Sequence, residues 1–316
     1  MLNLIINALT SSLKYLSIML PFMIIGIILA ELIVELKWVH KLGFISIPIT
    51  RFAHLNTECG VSFLTAFGSP TAANSMLMQF YNSKLITKKE LIIASMANSF
   101  PAMVMHWRAL LPVLIPLIGV TGLIYFCMLM LVGFIKTFLV LIAGRLLLDK
   151  KEQTVNYKNL KNHPKTPLKH ALASSVNNSK KTIKRILYTT IPITVMVFIL
   201  INLGIFKILA LYLSGAATYF PIPAEGLTII ATQFANNVAA YTVAGNLLSQ
   251  GILNSKEIIL TLLTGDVLST VVSLRFLLPY YLGIYGPKIG TQIMILSTLL
   301  RLSVTVAVII ALALGW

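Results

Sequence analysis

Apolar residues fill this chain in long stretches that fall into two sets, one on either side of a polar interval. Four stretches, 13–34, 122–146, 183–204 and 289–314, reach the roughly 20 residues a helix needs to cross a hydrocarbon core of about 30 Å. Between them the pattern breaks up. Residues 36–53 and 205–221 are short and amphipathic, and Glu58 to Phe67 makes ten residues of helix, about 15 Å long and too short to span. Gly68-Ser69-Pro70-Thr71 follows, then a second short piece, 72–82, that ends at Asn82-Ser83-Lys84. Turn-forming residues between two half-length apolar pieces predict a hairpin that enters and leaves by one face. The matching tip in the second set is Ala235-Asn236-Asn237. Segments 87–118 and 254–284 are predicted to be broken helices, interrupted at Asn98-Ser99-Phe100-Pro101 and at Gly265-Asp266.

The two sets align. An offset of 167 residues brings Glu58 onto Glu225, Lys89-Glu90 onto Lys256-Glu257, and Arg108 onto Arg275. It also brings Leu110-Leu111-Pro112 onto Leu277-Leu278-Pro279 and Gly119 onto Gly286. Charged residues and prolines holding one register mark an internal repeat rather than shared hydrophobicity. The expected fold is therefore all-α, a polytopic membrane protein of two repeats, each with a re-entrant hairpin and a broken helix. The boundaries read 1–148 for the first repeat, 149–182 for a basic linker and 183–316 for the second repeat.

Three crossings per unit would turn the second copy upside down, and the charges agree with that arithmetic. With the linker cytoplasmic, Lys37, Lys41, Arg51, Lys84, Lys88 and Lys89 of the first unit fall inside, while the matching outer loops hold Lys207 and Lys256. Inverted repeats of this kind are common among secondary transporters with a site near the midplane.

Composition strengthens the picture: 57% hydrophobic and 11% charged residues with a mean hydropathy of +0.88 point to the bilayer as solvent. The net charge of +16 is concentrated in the linker, whose Pro, Asn and Lys content predicts a solvated cytoplasmic loop. It lacks the aromatic stripe suited to stacking bases, so nucleic acid is not an expected partner. Cys59 and Cys127 stand far apart, which indicates neither a disulfide framework nor a metal site. No Walker loop, HExxH pair or GxSxG elbow occurs, so neither an enzyme nor a bound cofactor is expected.

Candidate chemistry lies at the breaks. Glu58, Glu225 and Asp266 are the acidic residues at membrane depth, and such groups by default mark a site. The two glutamates also suit helix capping at a hairpin mouth. Ser69, Thr71 and Asn74 on one tip, and Gln233, Asn236 and Asn237 on the other, offer hydroxyls and amides for a neutral polar ligand or sodium; the alternative is interhelical hydrogen bonding. Asn98 belongs with them. Arg108 and Arg275 suit an ion pair, a gate, or snorkelling to headgroups.

The segment from Glu58 to Arg108, ECGVSFLTAFGSPTAANSMLMQFYNSKLITKKELIIASMANSFPAMVMHWR, resembles the nucleoside-recognition Gate domain family. That family is similar in plan to concentrative nucleoside transporters and includes the spore maturation proteins A and B and the membrane part of ferrous-iron permeases. The resemblance implies that the tips at Ser69 to Asn74 and Gln233 to Asn237, with Glu58 and Glu225, line a central cavity. This chain lacks the permeases' GTPase domain and the extra helices of the nucleoside transporters, a scaffold that a homo-oligomer would supply. The expectation is a multi-pass cell-membrane transporter of a small polar solute, nucleoside-like, coupled to sodium or protons. The alternatives are a non-transporting assembly or signalling protein on the same scaffold and a metal-ion permease.

Overall fold

The computed structural model describes residues 2–36, 39–150, 167–204, 208, 220–235 and 237–315. Every regular element among these is a helix. In chain order they are α1 (Leu2–Glu35), α2 (Val39–Phe52), α3 (Thr57–Ala66), α4 (Pro70–Asn82), α5 (Lys88–Ala97), α6 (Ser99–Met105) and α7 (Trp107–Leu147). Then come α8 (Leu168–Asn202), α9 (Gly226–Ala235), α10 (Asn237–Ser249) and α11 (Ser255–Gly315).

Two helices, Leu110–Leu147 and Ser255–Gly315, are long and apolar enough to cross a membrane. The longer one is folded back on itself. Lys256 Nζ donates to the Ala313 carbonyl at 3.4 Å although they are 57 positions apart. In a straight helix that separation would be about 85 Å. The reversal falls at Gly286, whose φ of 78° is open to glycine and strained for any residue with a Cβ. Gly119 (φ 56°) reverses α7 in the same way, so that the second arm of α7 runs back along α5 and places Gly144 against Ala53 and Ile93.

The short helices form two hairpins inside this frame. Ser69 caps α4 by accepting from Ala72 N at 3.2 Å, with Pro70 at the first helical position. Gly26 lets α1 meet α4 at backbone distance, because a Cβ there would lie 2.5 Å from the Ala72 carbonyl oxygen. Thr87 and Glu90 form a capping box at the start of α5, and Glu90 also accepts from Asn56 N at 3.2 Å. Glu257 and Asn254 repeat the reciprocal bonds at the start of α11.

Two sequence expectations are corrected. The helix break expected at Gly265-Asp266 is absent, since α11 is helical from Ser255 to Tyr285. The glycine serves packing instead: a Cβ on Gly265 would lie 2.0 Å from Gln233 Oε1, so its absence lets α9 approach α11 closely here, as Gly226 does against Thr261. The linker, expected as a solvated loop over 149–182, is helical from Leu168 onward. Ala171, Ser175, Ser179 and Thr182 are buried at helical spacing, a stripe of small residues that seats α8, while lysines and asparagines face outward. Residues 151–166 of the linker, Lys37 and Lys207 lie outside the described residues.

Candidate functional site

Polar side chains converge at two places. The first joins α3, α4, the α5–α6 break and α11. Asn98 uses both amide hydrogens, donating to Ser62 Oγ and to Asn74 Oδ1, each at 2.9 Å. Ser62 in turn donates to the Ala73 carbonyl at 2.9 Å, and Asn74 Nδ2 donates to Tyr280 Oη at 2.8 Å. The break at Asn98 is what turns this amide inward between α5 and α6. These bonds tie the first hairpin to α11, while Asn98 Oδ1 is buried and, among the described residues, has no hydrogen-bond partner.

The second place is a cavity. Asp266, on the first arm of α11, accepts from Tyr125 Oη at 2.6 Å on one oxygen and from Gln233 Nε2 at 2.8 Å on the other. Tyr125 comes from the second arm of α7 and Gln233 from α9, so one carboxylate clasps three elements. In a low-dielectric interior two donors of this kind make a carboxylate tolerable. Beside it opens a cavity of about 350 Å³ whose polar wall includes Asn237, Ser269, Ser273, Arg275 and Arg301. Arg301 donates to Thr270 Oγ1 at 2.9 Å, and Arg275 lies over the Phe276 ring at 4.7 Å. Lys136, buried in α7, donates to Ser297 Oγ at 2.7 Å. A larger groove of about 850 Å³ runs between the second arms of α7 and α11, but Ser303 is the single polar side chain in its aliphatic wall. The smaller cavity is where chemistry can occur.

The uncharacterized protein MJ1556 of Methanocaldococcus jannaschii is 37% identical over 311 residues, 98% of this chain and 98% of that one. This chain belongs to the MJ1556 family. The uncharacterized protein MJ0880 of the same organism is 25% identical over 304 residues, 95% of this chain and 98% of its own. The uncharacterized protein MJ0871, also from that organism, is 28% identical over 278 residues, 87% of this chain and 86% of its own. No family model and no solved structure matches the chain.

In this member of the MJ1556 family the sequence-predicted residues separate into groups. Gln233, Asn237, Asp266 and Arg275 share the cavity. Asn74 and Asn98 share the other cluster. Ser69 is a helix cap, and Thr71 lies half-buried in the first turn of α4. Glu58 occupies the first turn of α3, and Glu225 is exposed just ahead of α9, away from the cavity wall. Asn236 lies outside the described residues, as does the side chain of Arg108. Among the described residues no group of three His, Cys, Asp or Glu is placed to hold a metal. Sequence reasoning missed Tyr125, Lys136 and Arg301. A signal was present for two of them, since Lys136 and Arg301 are charges set deep in apolar stretches.

Proposed function

We propose that the chain is a multi-pass membrane transporter of a small polar solute, built from two inverted repeats around the Asp266 cavity. The observation that carries this reading is the cavity itself: a charged, polar, half-open pocket among helices that also carry exposed apolar faces. Exposed Leu123, Leu131, Phe134, Phe138, Leu296 and Leu299 on the second arms suit contact with lipid. The repeat is supported by elements that recur at one spacing. α4 and α10 are both 13 residues long and begin 167 positions apart, at Pro70 and Asn237. Lys84 and Gly251, and again Gly119 and Gly286, have positive φ at that same offset. Helices α3 and α9, at 10 residues each, are too short to cross a bilayer, as a re-entrant hairpin requires.

Rearrangement of α9 and α10 against α11 would alternate access to the pocket. Sodium or proton coupling fits the single carboxylate there. The test is uptake of labelled nucleosides and other small polar solutes into proteoliposomes under imposed sodium or proton gradients. Uptake is expected for the intact chain, cut at least tenfold by Asp266→Asn and unchanged by Glu225→Gln; Glu58→Gln probes the hairpin mouth. Absence of flux for every solute and ion overturns the reading. The hydrogen bonds that tie Asn74 and Asn98 to Ser62 and Tyr280 favour a second reading, a non-transporting membrane scaffold, which that outcome would select.

A further inference from the structure

The charges around the cavity do not balance. Asp266 brings one negative charge, and both its oxygens already accept from Tyr125 and Gln233. Against it stand two guanidinium groups in the wall, Arg275 and Arg301. The side chain of Lys136 lies near enough to Arg301 to interact with it electrostatically. Asn237, which opens α10, is also in the wall, so the positive end of that helix faces the same space. Arg275 Nε is buried and, among the described residues, has no hydrogen-bond partner. Its guanidinium is steadied by the Phe276 ring rather than by a carboxylate. An excess of cationic groups around a half-open pocket favours the entry of an anion, and a planar guanidinium suits two oxygens of one carboxylate or phosphate.

We infer that the solute taken by this cavity is a small oxyanion, a carboxylate- or phosphate-bearing molecule, held by Arg275 with Arg301 and the hydroxyls of Ser269 and Ser273. This rests on the transport reading above and narrows its substrate class. The volume of about 350 Å³ admits a small organic acid or a phosphate ester and excludes a polymer.

The test is thermal unfolding of the intact chain in a neutral detergent. The probes are sodium acetate, sodium phosphate and sodium sulfate, compared with sodium chloride at matched ionic strength and with uridine. At least one oxyanion is expected to raise the midpoint by about 3 °C or more over chloride. Arg275→Gln is expected to abolish that rise, Arg275→Lys to keep part of it, and Lys169→Gln, at an exposed lysine at the start of α8, to leave it intact. The inference is overturned if no oxyanion exceeds chloride, if the rise survives Arg275→Gln, or if phosphatidylglycerol alone reproduces it, which would make the arginine a headgroup anchor. Uridine flux without any oxyanion effect would sink this inference and leave the transport reading standing. An Arg275-dependent oxyanion shift without flux of any solute would do the reverse.

Discussion

The side-chain amide of Gln233 occupies the space that a Cβ on Gly265 would need, with Oε1 only 2.0 Å from that position. The same amide donates to Asp266, the next residue along α11, and to the Leu262 carbonyl at 3.3 Å. One glycine thus sets how closely α9 approaches the carboxylate. Gly265→Ala is expected to push the amide aside and lose both bonds, at a cost of about 1–3 kcal/mol. In a Gln233→Ala background the added methyl finds space, so most of that cost should vanish. A double-mutant cycle followed by thermal unfolding in detergent measures the difference, and additive effects would show that the contact is not shared.

The Asn98 cluster gives a second prediction. Asn98→Ala removes two donated bonds and strands Asn74 Oδ1 inside the bundle. Interhelical hydrogen bonds in membrane proteins are modest, so a loss of about 1–2 kcal/mol is expected. Ser69→Ala removes a cap bond at a half-exposed hairpin tip and should cost about 1 kcal/mol or less. Equal losses in the two variants, read from unfolding midpoints, would show that the cluster contributes no more than a cap.

These contacts also explain which parts of the architecture were legible. Half-length apolar pieces ending in Gly-Ser-Pro-Thr located the first hairpin to within two residues, because turn chemistry and length are both local. Asn98 was found for the same reason. Gly265-Asp266 was misread because a glycine that admits a neighbouring side chain looks, in sequence, like one that bends the backbone. The linker helix was missed because Ser and Asn have weak helix propensity, and its buried stripe is made of small residues with little hydrophobic contrast. The cavity was half legible. Gln233, Asn237, Asp266 and Arg275 come from the breaks that drew attention, whereas Tyr125 and Arg301 sit in stretches read simply as spans.

The two reversal glycines give a prediction free of packing. Neither Gly119 nor Gly286 has an atom within 4 Å of where a Cβ would stand, so substitution meets only backbone strain. Gly286, at φ 78° and ψ 168°, lies in a region essentially reserved for glycine. Gly286→Ala and Gly119→Ala should each cost about 1–3 kcal/mol by thermal unfolding. At Gly204, which also has φ 78° and open space, the proposed repeat has no reversal, so Gly204→Ala separates backbone strain from loss of the hairpin. A far smaller loss at Gly119 and Gly286 than at Gly204 would show that the reversals relax into ordinary helix.

The proposed inverted arrangement makes the strongest demand. Ser83 and Gln250 occupy equivalent places 167 residues apart, each exposed in the turn after its hairpin. Inversion requires them to face opposite sides of the membrane, whereas a parallel duplication would put them on the same side. Single cysteines at these positions, placed in a Cys127→Ser background because Cys127 is exposed while Cys59 is buried, can be labelled with an impermeant maleimide in sealed cells. Ser83→Cys is expected to label only after lysis, since Lys84, Lys88 and Lys89 beside it favour the cytoplasmic face. Gln250→Cys is expected to label in intact cells. Labelling of both under one condition would leave the Asp266 cavity without an opposing copy to open it toward the other side, and alternating access around that carboxylate would fall with it.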